Sequence, residues 1–381
     1  MKSNIFNILV LSVFLKILYI GFAFVLESNT DYFGCEHSTE GVISLFKRHD
    51  AYWYQNIHDN GYPEVNSRKE LGWHNDAEYH QSRWGFMPGY PLAIKVISSL
   101  LNISFNASAF IISIVFSTLC FILFYWLSSL WFQKTKNAFY ATLLFMVMPF
   151  NYYFSMMYTE AIFCSLLFGA LIAVKKKKYI LLAILTAIMT IFRANGLVLL
   201  LPIALFVLEN ENLLENFKLK KAIWNWNILK KFAFLFLPIL TFSGYCYYQY
   251  IKTGYPNAYS IAQQEGWYRE LMFPIGGLFR SGDFVTQFNS WYSIVIIIIS
   301  TFTWKKLPLS YNLIIWISIL LPLSSGSSIA MTRYISIIFP LYFMFAYWLK
   351  DVKWKMALVP IFLILQLYSF HFWLISDSFS Q

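Results

Sequence analysis

The sequence predicts an all-α polytopic membrane protein with many spanning helices. Hydrophobic residues make up 58% of its 381 residues and charged residues only 13%, whereas a soluble domain has about 25% charged residues. Apolar stretches with roughly the 20 residues that a spanning helix needs recur along the chain. The net charge of +10 comes largely from short lysine clusters between these stretches. That pattern is typical of cytoplasmic loops and not of a nucleic-acid-binding surface.

Eleven apolar runs follow one another and define the predicted bundle. The first run is too long for the apolar part of a signal peptide and lacks a small-residue cleavage site, so we expect a retained helix. The fifth and sixth runs are short and fit either two crossings or one broken pair. The runs cover 5–26, 106–132, 138–154, 158–174, 179–192, 195–208, 232–251, 291–304, 307–323, 334–349 and 356–375.

The lysine clusters predict which loops face the cytoplasm. If the N-terminus is inside, the cluster at 175–178 and the basic loop 209–231 are cytoplasmic, and the opposite orientation would place all clusters outside. The outer side then holds a long, partly helical first loop, 27–105, and a second outer loop, 252–290. Within the first loop, 89–104 is short and amphipathic, which favours a helix at the membrane interface. We treat 1–381 as a single integral-membrane domain.

Ionisable residues on the predicted outer side identify a candidate site. Glu160, Arg193 and Arg333 lie at or near outer helix ends, and Asp50 lies in the first outer loop. Ionisable groups at membrane depth are costly and usually face a cavity or a partner. One carboxylate and two guanidiniums suit transfer from a lipid-linked phosphosugar. The arginines would bind the phosphate, and the carboxylate would take the proton of the attacking hydroxyl.

Each of these residues also has a structural interpretation. Asp50 and Glu160 fit helix N-termini, where acidic groups are favoured. Arg333 fits an interfacial anchor. Arg193 has apolar flanks on both sides, but it also fits a structural ion pair with Glu160. Lys16 lies inside the first apolar run and is interpreted as a snorkelling or bundle-facing lysine without a functional role.

The sequence predicts no metal site, no cofactor and no disulfide framework. Three of the four cysteines lie inside apolar runs, and only Cys35 lies in a polar loop. Four histidines share the first outer loop, but they form no compact ligand pair of the kind that binds zinc. These are His49, His58, His74 and His80.

Four sequence motifs resemble, in order, those of the PIG-V-type mannosyltransferases. "HDAYWYQNIHDNGYPE" followed by "WGFMPGYPLAI" resembles the family's first luminal loop, with its Trp-Asp-Ala segment and later Pro-Gly-Phe-Pro step. "PFNYYFSMMYTEAIF" resembles its Tyr-Ser-Glu stretch, and "FRANGLVLL" resembles its Arg-Ser-Asn-Gly-Leu motif. "AMTRYISIIFPLYF" resembles its late Thr-Arg segment. The resemblance covers about residues 45–345, nearly the whole chain.

This resemblance to GPI mannosyltransferase II-like proteins implies a GT-C-like bundle of about 11 transmembrane helices. It also implies a polyprenyl- or dolichyl-phosphate mannose donor, transfer with inversion, and a catalytic aspartate in the first outer loop, whose place Asp50 takes. The family's other polar motifs correspond to Glu160, Arg193 with Asn195, and Arg333, to which we assign donor phosphate and sugar binding. His49 stands where the family usually has Trp and is placed with these substrate-binding residues.

The departures from the family pattern concern the acceptor more than the chemistry. Thr159 and Ala194 stand where the family has Ser. The expected acceptor is therefore left open between a glycan, a glycolipid and a protein. Short loops and a Lys/Asn/Ile-rich composition indicate a bacterial member, placed in the inner membrane with its site facing outward. In a eukaryote the site would face the lumen of the endoplasmic reticulum.

Two other functions fit parts of the sequence. A transporter or flippase for a lipid-linked saccharide should place polar groups near the bilayer midplane and show repeat-related broken helices. Here the polar groups lie at the predicted outer boundary, and no repeat is found. A structural subunit of a glycosylation complex, with an inactive site, fits the same residues as the enzyme does.

Overall fold

The protein is described by a computed structural model that covers residues 2–29, 39–72, 81–213, 230–279 and 282–375. The regular elements in these ranges are all helices, which confirms the predicted all-α class. The α-helices of the amino-terminal half are α1 (Lys2–Asn29), α2 (Thr39–Ser44), α3 (Asp50–Asn60), α4 (Arg68–Gly72), α5 (Gly89–Leu101), α6 (Phe105–Trp131), α7 (Thr135–Val147), α8 (Glu160–Lys175) and α9 (Tyr179–Phe192).

The remaining α-helices are α10 (Asn195–Val198), α11 (Leu200–Asn210), α12 (Phe236–Thr253), α13 (Ala258–Trp267), α14 (Pro274–Leu278), α15 (Phe284–Thr301), α16 (Leu309–Leu323), α17 (Met331–Ser336), α18 (Pro340–Trp348) and α19 (Leu358–Leu374). Short 3-10 helices occupy Arg83–Gly85, Asn151–Ser155, Ala233–Leu235 and Lys355–Ala357.

Four helical stretches within the described ranges are long and apolar enough to cross a membrane: Ser3–Leu26, Phe105–Trp131, Phe284–Thr301 and Lys355–Leu374. Further apolar helices are shorter than a full crossing: Gly89–Leu101, Tyr179–Phe192, Asn195–Asn210 and Leu309–Leu323. The chain is therefore an integral membrane protein, and the number of eleven crossings stays a prediction.

Several predicted runs are interrupted where local chemistry breaks a helix. The run 334–349 is divided between α17 and α18, because Pro340 lacks an N–H and occupies the first turn of the second helix. The run 138–154 leaves the α-helical form after Val147, since Met148 precedes a proline and is extended. The run 195–208 is divided between α10 and α11. These breaks shorten the predicted crossings.

The chain forms two compact units, each assembled from separate segments. The first unit contains Met1–Gln55, Leu92–Phe168 and Thr332–Gln381. In it α1 and α7 pack against α6, and α7 also packs against α18 and α19. Its core is aromatic: the ring of Phe124 lies 4.5 Å from that of Phe145 and 5.5 Å from that of Phe343. Such ring pairs add to the free energy gained from burial.

Lys16 faces the interior of the first unit and is only 5% exposed. Its ammonium group donates to Ser12 Oγ at 2.7 Å and lies 4.9 Å from the centre of the Phe121 ring. Of the two interpretations of Lys16, the structure has the bundle-facing one. The contacts give Lys16 a packing role between α1 and α6.

The second unit contains Asn56–Pro91 and Gly169–Met331. Helix α9 packs against α12, and α11 packs against α16. A separate small core lies under the loop segments, where buried Leu71 and Trp84 meet Ile261 of α13. The indole N–H of Trp84 donates to Pro63 O at 3.0 Å, which fixes the chain that follows α3.

Candidate functional site

Three of the predicted site residues meet in the first unit. The guanidinium Nη1 of Arg333 donates to Asp50 Oδ2 at 2.7 Å, and its Nε lies 3.3 Å from Glu160 Oε1. The side chain of Glu160 is 1% exposed and that of Arg333 12% exposed, whereas that of Asp50 is 27% exposed. One arginine thus holds two carboxylates, of which Asp50 is the one open to an incoming group.

Both carboxylates are placed by helix starts. Asp50 is the first residue of α3, and Glu160 is the first residue of α8. Negative charge is favoured at these positions, because the first N–H groups of a helix have no intrahelical acceptor. Both residues therefore occupy the helix N-termini that the structural interpretation assigns to them. Their shared contact with Arg333, 283 residues from Asp50 along the chain, brings both carboxylates into one cluster.

Two tyrosine rings pack against the guanidinium of Arg333, the buried Tyr158 and the half-buried Tyr334. Its guanidinium carbon lies 4.8 Å from the centre of the Tyr158 ring and 5.4 Å from that of Tyr334. Tyr158 stacks on Tyr153 at 6.2 Å and meets the edge of Trp373 at 5.1 Å. Because Tyr158, Tyr153 and Trp373 are buried, the ion pairs beside them experience a lower dielectric than at an exposed surface.

The segment that precedes Asp50 is clamped to the end of α19. The indole N–H of Trp373 donates to Leu45 O at 3.0 Å, and Nη2 of Arg48 donates to Leu374 O at 2.9 Å. The N–H of Met157 donates to Phe46 O at 3.2 Å. These bonds hold the segment to the carboxyl end of α19 and to the residues that precede α8. These hydrogen bonds therefore fix the start of α3 and the position of Asp50, its first residue.

His49 makes the turn between this clamp and α3. Its φ of 45° lies in the left-handed region, which a non-glycine residue seldom adopts. Its ring meets the edge of Trp373 at a centroid distance of 5.8 Å. Burial lowers the pKa of His49 to about 4, although the charge of Asp50 acts to raise it. His49 is therefore neutral near pH 7 and can offer a hydrogen bond without adding charge.

Arg193 and Asn195 belong to the second unit, so their predicted convergence with Asp50 stays a prediction. Arg193 is extended, with φ −147° and ψ 139°, between the end of α9 and the start of α10. Gly196 lets α10 approach α9, because a Cβ there would lie 2.7 Å from Met189 O. The Oδ1 atom of Asn195 is buried and has no hydrogen-bond partner among the described residues. A buried amide oxygen in this state is suited to receive a donor from a ligand.

Some residues around the cluster were not predicted from the sequence. Tyr158, Trp373 and Arg48 all support it, although Tyr158 lies inside one of the quoted motifs. Trp373 lies outside the stretch that carries the resemblance, and nothing in its local sequence separates it from an interfacial tryptophan. In the described part of the chain, no three His, Cys, Asp or Glu side chains gather as a metal site would require. His74, His80 and Cys35 lie outside the described residues.

Comparison with known proteins gives one family and a few distant relatives. The family model described as "Mannosyltransferase (PIG-V)" matches residues 72–282, more than half of the chain. That range includes Glu160, Arg193 and Asn195, whereas His49, Asp50 and Arg333 lie outside it. The GPI alpha-1,6-mannosyltransferase 2 of Cricetulus griseus and that of Homo sapiens are each 27% identical over 168 residues.

Those matches cover 42% of this chain and 31% of each mannosyltransferase, so the matched part spans less than a third of these relatives. Among solved structures, the Archaeoglobus fulgidus oligosaccharyltransferase in complex with Zn and sulfate aligns over 88% of this chain and 48% of that chain. Its TM-score is 0.42 at 11% identity.

Proposed function

The chain belongs to the PIG-V family of mannosyltransferases, and from that premise we propose that it moves mannose from a polyprenyl-phosphate donor to an acceptor hydroxyl. The observation that carries this proposal is the cluster of Asp50, Glu160 and Arg333 in the first unit. Its partly exposed carboxylate is fixed by an arginine and backed by a buried second carboxylate. A general base needs such a position, with one face held and another open to the substrate.

Asp50 acts as the general base in the proposed reaction. It accepts the proton of the acceptor hydroxyl while that oxygen forms a bond to the anomeric carbon of mannose. The bond between the anomeric carbon and the phosphate oxygen breaks, and its electron pair leaves with the polyprenyl phosphate. Attack from the face opposite the leaving group inverts the anomeric configuration. Arg333 orients Asp50, and Glu160 holds Arg333 in place from its buried side.

Arg193 and Asn195 serve the donor in this proposal. The phosphate gains charge as the glycosidic bond breaks, and an arginine stabilises that charge through its permanent positive fork. The amide oxygen of Asn195, buried without a partner in the described residues, would accept a hydroxyl of the sugar. Neutral His49 would lie beside the sugar and add a hydrogen bond. This role requires the Arg193 guanidinium to contact the donor phosphate.

The reaction takes place on the non-cytoplasmic face in this proposal. Support comes from the lysine clusters, because the positive-inside rule favours basic loops in the cytoplasm and the segments with Asp50 and Arg333 on the other side. In a bacterium that face is the outer side of the inner membrane, and the acceptor is a glycan, glycolipid or protein of the envelope. A topology reporter fused after Lys178 should read cytoplasmic, and an outer reading would contradict this orientation.

The proposed function is tested by incubating the purified full chain in liposomes with radiolabelled polyprenyl-phosphate mannose and envelope lipid or glycan acceptors. We expect label in the acceptor together with an equal amount of released polyprenyl phosphate. The glucose analogue of the donor and a nucleotide-activated mannose serve as controls. Transfer only from the nucleotide sugar would contradict the donor, and movement of intact labelled donor across the bilayer without release would identify a flippase.

A further inference from the structure

The second outer loop contains an apolar segment, 271–279, whose sequence LMFPIGGLF carries no charge. Its large side chains are turned outward. Leu271 is 91% exposed, Phe273 75%, Ile275 53% and Phe279 73%. A contiguous exposed apolar surface of this kind marks contact with a membrane or another protein, because its exposure to water is unfavourable.

The backbone of the apolar segment is fixed to the end of α16. The N–H of Met272 donates to Ser324 O at 2.9 Å. Just before the segment, Nη1 of Arg269 donates to Ser325 Oγ at 2.9 Å. Gly277 lies so close to α16 that a Cβ would meet Leu323 O at 2.7 Å. The outward side chains are therefore held in place by the protein.

The chain enters the apolar segment through a sharp turn. Helix α13 ends at Trp267, and the next residue, Tyr268, has a left-handed φ of 52° that redirects the backbone. Leu278 points inward and is 8% exposed, so it anchors the far end while its neighbour Phe279 stays outside. The second outer loop thus has two different parts. The first is α13, which packs against α4, and the second is the apolar segment.

The surface of the apolar segment continues into that of a membrane span. Helix α15 starts at Phe284 and has the length and hydropathy of a crossing helix. Phe284 is 72% exposed, Trp291 67% and Val295 51%, and on a spanning helix such side chains face acyl chains. Helix α14, which lies inside the apolar segment, also packs against α15. The lipid-facing surface of α15 is thus extended by side chains that precede the span.

We propose that the apolar segment 271–279 is embedded in the lipid leaflet at which α15 begins, the outer leaflet in the predicted topology. Phospholipid acyl chains then contact the exposed side chains of Leu271, Phe273, Ile275 and Phe279. Arg269 and the exposed Glu270, immediately before the segment, lie at the level of the headgroups. The second outer loop is then anchored at two depths, with α13 in water and the apolar segment in lipid.

Spin labels at single cysteines test this placement. The four native cysteines are replaced by serine, and Leu271→Cys or Phe279→Cys is introduced and labelled in the full chain in phosphatidylglycerol/phosphatidylethanolamine liposomes. Collision rates with oxygen, which concentrates in lipid, are compared with those of a nickel chelate, which stays in water. Val295→Cys on α15 is the lipid-facing reference, and Ser260→Cys on α13 is a matched exposed reference in water.

We expect both labels on the apolar segment to give an oxygen-to-nickel ratio several-fold above that of the Ser260 position and close to that of the Val295 position. A ratio equal to that of Ser260 at both positions would overturn the proposal. Low collision rates with both reagents would also overturn it, because they would show that protein, such as a second copy of the chain, covers the segment.

Discussion

Each of the two units contains a cluster of charged groups. In the first cluster one arginine contacts two carboxylates, and in the second one carboxylate accepts hydrogen bonds from several donors. In the first unit, Arg333 contacts two carboxylates, and the side chain of Asp50 remains 27% exposed. In the second unit, a single carboxylate, Glu211, is 8% exposed and gathers several donors. Lys231 Nζ bonds to its Oε2, Tyr179 OH donates to its Oε1 at 2.8 Å, and Lys177 Nζ lies 3.2 Å away.

This difference separates a structural cluster from a candidate site. Burial raises the pKa of Glu211, but the hydrogen bonds from Lys231, Tyr179 and Lys177 outweigh it and lower the pKa to about 2. Glu211 is therefore ionised at every physiological pH and its oxygens are occupied by donors. The cluster around Arg333 keeps one carboxylate accessible, as proton transfer to a substrate requires. Mutations should therefore affect activity in the first cluster and stability in the second.

Among the residues that support Asp50, the largest effect is expected for Arg333→Lys. A lysine keeps the charge but has a single ammonium group, which cannot reproduce the fork that reaches both Asp50 and Glu160. We expect kcat for mannosyl transfer to fall by about 10²-fold, by analogy with the loss of one preorganised electrostatic group in an active site. The matched control is Arg68→Lys, because Arg68 is 51% exposed and pairs with Glu265. Wild-type kcat in Arg333→Lys would contradict the site.

A smaller effect on activity is expected for Trp373→Phe. Phenylalanine keeps a ring beside Tyr158 but removes the N–H that holds Leu45 O, so the start of α3 becomes less fixed. We expect kcat to fall about tenfold with KM unchanged, as for a small misplacement of a catalytic group. Thermal unfolding and steady-state kinetics of the same preparation separate positioning from stability.

Trp84→Phe is the control for this substitution. Both indoles are fully buried, and each donates to a backbone carbonyl at 3.0 Å. Loss of either bond should destabilise the fold by about 1–3 kcal/mol. Equal falls in kcat for the two variants would show that Trp373 acts only through stability.

The smallest effect on activity is expected for Glu211→Gln, which should lower stability alone. The amide keeps the shape of the carboxylate but leaves Lys231 and Lys177 without their anionic partner, at a cost of about 1–2 kcal/mol. We expect a lower Tm in thermal unfolding and wild-type kcat.

The pH dependence of thermal stability gives a second measurement of the contribution of Glu211. The pKa of Glu211 is lower in the folded chain than its ordinary value of 4.5. Its contribution to stability is therefore complete above about pH 4.5 and is lost as pH falls towards about pH 2. The difference in Tm between the wild type and Glu211→Gln should shrink in that range. A constant difference down to pH 2 would contradict the pairing.

The helical class and part of the site were predictable from the sequence, because both depend on strong local signals. Long apolar runs give helices wherever proline does not intervene, as Phe105–Trp131 illustrates. A charged residue beside such a run, such as Glu160, is expensive unless it has a partner, and the structure gives it Arg333. The structure places Arg333 Nη1 2.7 Å from Asp50 Oδ2, although the two residues are far apart in the sequence.

Other features were not predictable, because they depend on contacts between residues distant in sequence. Trp373 supports the site from 328 residues beyond Leu45 along the chain. From the sequence alone, the apolar segment 271–279 is indistinguishable from a short buried run. Its outward orientation depends on the hydrogen bond between its backbone and Ser324 O. The proposed donor-binding role of Arg193 likewise depends on tertiary structure, and no local pattern determines it.

The role of Asp50 as the base is tested most directly by the single-turnover rate of mannosyl transfer by Asp50→Asn. Asparagine keeps the shape and can still bond to Arg333, but it cannot take a proton at neutral pH. We predict that polyprenyl-phosphate mannose still binds while the rate falls by about 10²–10⁴-fold. Asp59→Asn, at the exposed end of the same helix, should keep the wild-type rate. A wild-type rate in Asp50→Asn would contradict the assignment of the base and with it the proposed mechanism.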